Sequence, residues 1–134
     1  MTSRPLPLLT AENRHFWLGG AAEALVILRC GKCGFWVHPP GPICPACHTE
    51  ALSPVATSGR GFVYSYTINH QPWLPDWELP YVIAFVELDD QIGLRLTTSI
   101  DAPIHQVHIG MRVTVRFEQV EDVYLPFFAP EAGK

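Results

Sequence analysis

Four cysteines are the residues of this chain whose spacing best fits a defined chemistry. They form two pairs, Cys30-Gly-Lys-Cys33 and Cys44-Pro-Ala-Cys47, with ten residues between the pairs. Zinc prefers four tetrahedral nitrogen or sulfur ligands, and a two-residue gap lets both sulfurs of a pair reach one ion. Four thiolates leave no coordination position for water or substrate. The spacing therefore predicts a structural zinc ion, not a catalytic one, bound by all four cysteines.

Other interpretations of the cysteines are disulfides, a redox Cys-x-x-Cys motif and iron. No thioredoxin-like βαβ pattern surrounds either pair, and two pairs so close together favour a metal. Iron stays open, because rubredoxin-like sites use the same ligands. His38 and His48 lie near the cysteines in the sequence. Since four thiolates already fill a tetrahedron, we expect both histidines to be bystanders.

The sequence contains no recognisable catalytic constellation. It has no Gly-x-Ser-x-Gly elbow and no phosphate-binding glycine loop, and no cysteine remains for nucleophilic chemistry once zinc is bound. His70 could act as an acid or base, but a lone histidine beside a proline-rich loop is more often structural. We therefore predict no catalytic residue in this chain.

Aromatic side chains cluster in two places. Phe16 and Trp17 lie on a predicted helix too short to bury them, so they dock either onto the chain's own zinc module or onto another subunit. Tyr64 and Tyr66 are expected on one face of a strand, because side chains alternate. The loop 71–80 holds three prolines and two tryptophans and is too stiff and apolar for a mere connector. Contacts with a partner or a substrate channel are predicted for Phe16, Trp17, Tyr64, Tyr66, His70, Trp73, Trp77 and Tyr81.

Strands are the main elements that must position these residues. A short helix is predicted at 11–18, ending at Gly19-Gly20, and a strand at 24–29 leads into the first cysteine pair. From Gly59 onwards, alternating apolar residues predict five strands, at 61–70, 81–89, 91–100, 111–120 and 123–128. A connector after the third strand matches the oligonucleotide/oligosaccharide-binding (OB) fold.

The predicted fold class is therefore mainly β. It consists of a short N-terminal helix and a rubredoxin-like zinc ribbon, followed by a five-stranded OB-fold barrel. The predicted domain limits are 1–23 for the N-terminal segment and helix, 24–58 for the zinc ribbon and 59–134 for the barrel.

Composition narrows the classes of function. The chain has 134 residues, 48% of them hydrophobic and only 16% charged, which favours a contact surface for a partner. Residues 59–134 carry five Lys/Arg against ten Asp/Glu, and this acidic half disfavours binding to phosphate backbones. No apolar run approaches the length of a membrane span and no signal peptide is visible, so we expect a cytoplasmic protein without membrane contact.

Motifs spread along nearly the whole chain resemble those of a known family. These are the zinc-ribbon/OB-fold proteins associated with acyl-CoA enzymes, long catalogued as a domain of unknown function. One departure is Gly41-Pro42, where family members often place an arginine after the Pro-Pro pair. The matching segments are Phe16-Trp17, Cys30–Gly34, Pro39-Pro40, Cys44–Cys47, Gly61–Thr67, Asn69-His70, Pro80–Ala84, Val86–Leu88, Ile109–Val113 and Leu125–Phe127.

The resemblance implies a non-catalytic accessory subunit. Family members bind thiolase-fold enzymes or lipid-transfer-type thiolase homologues, some of which cleave steroid side chains as acyl-CoA esters by retro-aldol or thiolytic chemistry. Others occur fused to hot-dog-fold hydratases. We therefore expect the leading helix and zinc module to dock an acyl-CoA aldolase (lyase) or thiolase (acyltransferase) subunit, and the aromatic-rich face of the barrel to border the active-site entrance of that subunit. The complex would contain two copies of each chain and contact acyl-CoA only indirectly.

An alternative from another class is a single-strand nucleic-acid-binding protein. Aromatic side chains on an OB-fold barrel can stack bases, whereas the acidic second half of the chain argues against this alternative.

Overall fold

The computed structural model describes residues 6–71 and 79–131. Helix α1 spans Arg14–Leu18 and continues into a 3-10 turn at Gly19–Ala22, and a second 3-10 turn lies at Ile104–Gln106. No helix within these described ranges has the length and apolar character needed to cross a membrane. The strands are β1 (Val26–Cys30), β2 (Trp36–Val37), β3 (Leu52–Ala56), β4 (Arg60–Asn69), β5 (Tyr81–Leu88), β6 (Arg95–Thr98), β7 (Arg112–Val120) and β8 (Val123–Pro130).

Two antiparallel sheets make up the fold. The first has the strand order β2-β1-β3 and carries the cysteines, and the second has the order β6-β5-β4-β7-β8. A parallel bridge between Ile100 and Phe128 brings the chain after β6 against β8, so the five-stranded sheet curls into a partly closed barrel. The predicted fold class, a mainly β chain with a short helix, a zinc ribbon and a five-stranded OB-fold, is confirmed.

Two elements begin three or more residues later than the sequence pattern predicted. The helix begins at Arg14 and not at residue 11, because residues 11–13 form a turn that is closed by hydrogen bonds between Thr10 and Asn13. In that turn the Thr10 N–H donates to Asn13 Oδ1 at 2.8 Å, and the Asn13 N–H donates to Thr10 Oγ1 at 3.2 Å. The third barrel strand begins at Arg95 and not at residue 91, since the preceding residues form the β5–β6 turn.

A β-bulge at Tyr64 changes the direction of side chains along β4. Val63 pairs with Val86 and Ser65 with Phe85, so Tyr64 is an extra residue without a partner on β5. Beyond the bulge the alternation is reversed, and Tyr66 packs against the hydrophobic core while Tyr64 is 43% exposed. The expectation that these two tyrosines share a strand face is therefore wrong.

One hydrophobic core serves both sheets. Leu25, Ile27 and Trp36 from the ribbon region pack in the same cluster as Val63 and Phe128 from the barrel. Each of these side chains is at most 6% exposed. Burial on this scale stabilises by about 1.5–3 kcal/mol for a large apolar side chain. The ribbon and the barrel are therefore packed as one unit.

The β5–β6 turn also ties the barrel to the ribbon through hydrogen bonds. The Trp36 N–H donates to Gln91 Oε1 at 2.8 Å, and Gln91 Nε2 donates to the Trp36 carbonyl at 3.0 Å. Next to it, Asp90 accepts hydrogen bonds from the backbone and hydroxyl of Ser58 at 3.0 and 2.7 Å. The Gln91 amide thus satisfies both backbone groups of a residue that is 6% exposed.

Candidate metal centre and contact surface

The four cysteines converge on one point at the tip of the ribbon. Cys30 ends β1, Cys33 follows in the next turn, and Cys44 and Cys47 lie in the second turn. All four sulfur atoms lie within 4.8 Å of one another. Two of the separations, Cys30 to Cys47 and Cys33 to Cys44, are 3.6 Å. A tetrahedral ion with zinc–sulfur bonds of about 2.3 Å requires sulfur separations of about 3.8 Å, so the cluster fits zinc.

Each cysteine pair forms a tight knuckle of the same shape. The Gly34 N–H donates to the Cys30 carbonyl at 2.9 Å, and the His48 N–H donates to the Cys44 carbonyl at 2.8 Å. Both donors have positive φ, +81° for Gly34 and +65° for His48. Glycine adopts this conformation without steric cost, whereas histidine is strained there. The His48 side chain is exposed and outside the sulfur cluster, as expected for a bystander.

Backbone N–H groups stabilise the thiolate form of the first ligand. The N–H groups of Lys32 and Cys33 each donate to Cys30 Sγ at 3.4 Å. The Cys33 N–H is the main cause that lowers the pKa of Cys30 to about 6, so this sulfur is ionised at neutral pH. Ionised sulfur is the form that binds zinc, and a site made of four cysteines has a closed coordination sphere.

The second bystander, His38, lies beneath the leading helix. Its ring stacks on Phe16 with centroids 4.9 Å apart and planes 28° apart. Its buried Nδ1 has no hydrogen-bond partner among residues 6–71 and 79–131, and the same is true of Nε2 of His15. Burial, with a smaller effect from His15, lowers the pKa of His38 to about 4, so this imidazole is neutral at pH 7.

Of the two alternatives left open by the sequence, docking onto the chain itself holds for Phe16, which packs on His38 of the zinc module and in the core that the module shares with the barrel. Phe16 is 7% exposed, and Trp17 packs edge-on against it with centroids 4.9 Å apart. Trp17 remains partly exposed at the margin of the core. Little of Phe16 is therefore available to another chain, whereas part of Trp17 is.

The other predicted contact residues differ in exposure. Tyr64 and His70 are exposed, whereas Tyr66 and Tyr81 are partly buried. Trp73 and Trp77 lie outside the described residues. No metal-ligand cluster other than the four cysteines lies within ranges 6–71 and 79–131.

Ile83, Phe85 and Arg95 belong to an exposed surface that sequence reasoning missed. Ile83 and Phe85 are 38% and 46% exposed and alternate with buried residues along β5. The strand is apolar almost throughout, so its composition does not separate the two faces, and only the alternation of large side chains with Val82, Ala84 and Val86 could have indicated an apolar outer face.

Comparison with known proteins identifies both halves of the chain. Residues 17–53 match the family profile described as the ChsH2 rubredoxin-like zinc ribbon domain. Residues 54–118 match the profile described as the ChsH2 C-terminal OB-fold domain. The metal site is therefore a structural zinc site in a zinc ribbon.

Two curated relatives differ in how much of their length the chain covers. A probable enoyl-CoA hydratase alpha subunit of Thermomonospora curvata is 40% identical over 130 residues, which is 95% of this chain but 40% of the relative. A DUF35 domain-containing scaffold protein of Methanocaldococcus jannaschii is 36% identical over 101 residues, covering 73% of this chain and 70% of the relative. The chain thus spans less than half of the hydratase subunit and most of the scaffold protein.

A solved structure matches the fold described above over almost its full length. It is a chain of an Ltp2-ChsH2(DUF35) aldolase, with a TM-score of 0.80 and 38% sequence identity. The alignment covers 93% of this chain and 98% of that chain. With a zinc ribbon, an OB-fold and relatives of this kind, the chain belongs to the DUF35 family.

Proposed function

We propose that this chain is a non-catalytic scaffold subunit that binds an acyl-CoA enzyme of the aldolase type. The observation that carries the proposal is the match to a chain of the Ltp2-ChsH2(DUF35) aldolase over 98% of that chain's length. The partner would be the thiolase-like subunit expected from the sequence motifs. Steroid-derived acyl-CoA as its substrate remains a prediction of the same motifs.

The chemistry of the described residues favours a non-catalytic role for this chain. The cysteine site is closed by four sulfur ligands, so it offers no position at which a substrate could be polarised. Within residues 6–71 and 79–131, the buried polar side chain on the barrel is Glu87, and it is paired with Arg95 rather than with a second acid or base. Turnover would then belong to the partner.

A hydratase is a second candidate partner. The enoyl-CoA hydratase alpha subunit of T. curvata contains a region 40% identical to this chain, and that region is 40% of its length. A scaffold of this kind can therefore lie in one polypeptide with a hydratase. In that case the chain would place a hydratase and an aldolase side by side on acyl-CoA intermediates.

The test is co-expression with the Ltp2 subunit of the related aldolase, followed by size-exclusion chromatography with light scattering. We expect a complex with two copies of each chain and retro-aldol cleavage of an acyl-CoA substrate only when both chains are present. Turnover by this chain alone would show that it is an enzyme. Elution of the two chains as separate species would contradict the scaffold function.

A further inference from the structure

The outward face of the barrel sheet carries a patch that combines apolar side chains with one oriented cation. We define the outer patch as Tyr64, Ile83, Phe85 and Arg95, on strands β4, β5 and β6. The three apolar members are 43%, 38% and 46% exposed, and the Arg95 side chain is 39% exposed. Large apolar side chains grouped on a sheet face exposed to solvent are typical of a contact surface.

The residues across the strands from Ile83 and Phe85 keep them accessible. Ile83 pairs with Thr67 on β4, and Phe85 pairs with Ser65 on β4 and Thr97 on β6. Directly opposite residues of a sheet share a face, and these neighbours are small and polar. These short side chains on β4 and β6 lie beside Ile83 and Phe85 without covering them. The two large side chains of β5 therefore form a ridge on the sheet face.

Arg95 is held rigidly beside this ridge. Its Nε donates to Glu87 Oε1 at 3.0 Å, and its guanidinium carbon lies 3.7 Å from the centre of the Tyr64 ring. Glu87, which accepts this hydrogen bond, is 8% exposed. No residue in the described ranges accepts a hydrogen bond from the two terminal nitrogens of Arg95. The bulge that makes Tyr64 an extra residue places its ring for this stack.

With its Nε bonded and its face stacked on one ring, this guanidinium has an edge of two parallel N–H donors that no described residue occupies. That edge matches a carboxylate or phosphate in a bidentate hydrogen bond, and little side-chain entropy is lost because the group is already oriented. The adjacent ridge adds an apolar surface of the kind that forms the centre of protein interfaces.

We propose that the outer patch is the docking surface for the acyl-CoA enzyme subunit, and that Arg95 binds an aspartate or glutamate of that subunit while Ile83 and Phe85 pack against its apolar residues. The proposal rests on the scaffold function proposed above. A carboxylate is favoured over a nucleic-acid phosphate because residues 59–134 carry ten acidic residues against five basic ones. A partner carboxylate is also favoured over a free phosphate ion, because the apolar ridge lies next to Arg95 and a protein surface can cover both, whereas a small ion cannot.

Three variants test the patch by affinity for the purified Ltp2 subunit. Phe85→Thr removes the larger side chain of the ridge and puts in its place a β-branched residue that suits a strand, as in the neighbouring Thr97. The double variant Arg95→Gln/Glu87→Gln removes the guanidinium without leaving a buried carboxylate unpaired. Ile43→Thr is the matched control, since Ile43 has the same 46% exposure but lies on the zinc ribbon. Thermal melting of each variant checks its fold.

We expect the first two variants to raise the Kd about tenfold or more and Ile43→Thr to leave it unchanged. If wild type binds the Ltp2 subunit and the two patch variants bind it as tightly as wild type does, the outer patch is not the docking surface, while the scaffold function stands. Weakening by Ile43→Thr alone would move the interface to the ribbon. If wild type does not bind, the scaffold function fails and the patch assignment fails with it.

Isothermal titration of the isolated chain with coenzyme A, and separately with a single-stranded oligonucleotide, tests the source of the anion. We expect neither to bind. If coenzyme A or the oligonucleotide binds to wild type and not to the double variant, Arg95 binds a phosphate. That result would overturn the proposal that Arg95 binds a carboxylate of the partner.

Discussion

At the scale of single residues, the zinc site depends on backbone geometry as much as on sulfur. Each knuckle is closed by one backbone hydrogen bond, and the residue that donates it, Gly34 or His48, has positive φ. Gly34 supplies that conformation at no steric cost and His48 at some cost. The spacing of the cysteines made this site predictable, because two Cys-x-x-Cys pairs have few other stable uses.

Replacement of one buried ligand should abolish zinc binding. A serine oxygen binds zinc more weakly than a cysteine thiolate does. Because Cys44 is 0% exposed, a water molecule cannot take the place of the lost ligand in Cys44→Ser unless the knuckle opens. Since a structural zinc ion contributes on the order of 10 kcal/mol to folding, we expect loss of stoichiometric zinc and a clear fall in the free energy of unfolding. Elemental analysis and urea denaturation measure both. Lys32→Ser, in the other knuckle, should keep its zinc; equal zinc content in the two variants would contradict the assignment.

The buried imidazole of His38 predicts a loss of stability in acid. Its pKa in the folded chain, about 4, lies below its ordinary value of 6.5. The unfolded chain therefore binds more protons than the folded chain between these pH values. The contribution of His38 to the free energy of unfolding is complete above pH 6.5 and is lost as the pH falls toward 4. We expect up to about 2 kcal/mol of lost stability at pH 5 from this group.

His38→Phe isolates that contribution, because a phenyl ring can keep the stack on Phe16 without titrating. Urea denaturation of both proteins at pH 7 and pH 5 gives the comparison. The cysteine thiolates take up protons in both, so only the difference between the two pH dependences reports His38. Parallel curves for wild type and variant would mean that this imidazole does not titrate on unfolding.

At the scale of elements, the sequence pattern predicted the strands whose apolar residues alternate regularly, and it missed the β-bulge that interrupts this alternation. At the start of β7 the alternation of Met111 and Val113 with Arg112 gave the buried face correctly, because both apolar side chains lie in the core while Arg112 is exposed. The bulge at Tyr64 could not be foreseen, since an inserted residue leaves no mark in composition. It reversed the side chains beyond it and created the stack with Arg95 on which the outer patch depends.

The packing of the 3-10 turn on the barrel predicts an intolerance of side chains at Gly20. A Cβ added there would lie 2.4 Å from Tyr124 Cβ and 2.7 Å from the Phe117 ring. Neither neighbour is the flexible end of a side chain, so the turn must shift. We expect Gly20→Ala to lower the free energy of unfolding by about 1–3 kcal/mol, measured by urea denaturation. Gly41→Ala, which meets nothing within 4 Å, should be within about 0.5 kcal/mol of wild type; similar losses in both would refute the close contact.

At the scale of the whole molecule, metal binding and barrel stability should be coupled. Trp36 is part of the core that contains Val63 and Phe128, and its backbone is bound by the Gln91 amide. Loss of zinc would free the ribbon and expose this side of the core to water. We expect a strong chelator to lower the melting temperature by about 10 °C or more. We also expect faster hydrogen exchange at the amides of Val63 and Phe128, which bond to Met111 and Ser99 in the barrel. If chelation removes zinc and both amides keep their protection, the barrel is stable without its ribbon, and zinc then orders only the surface beside it.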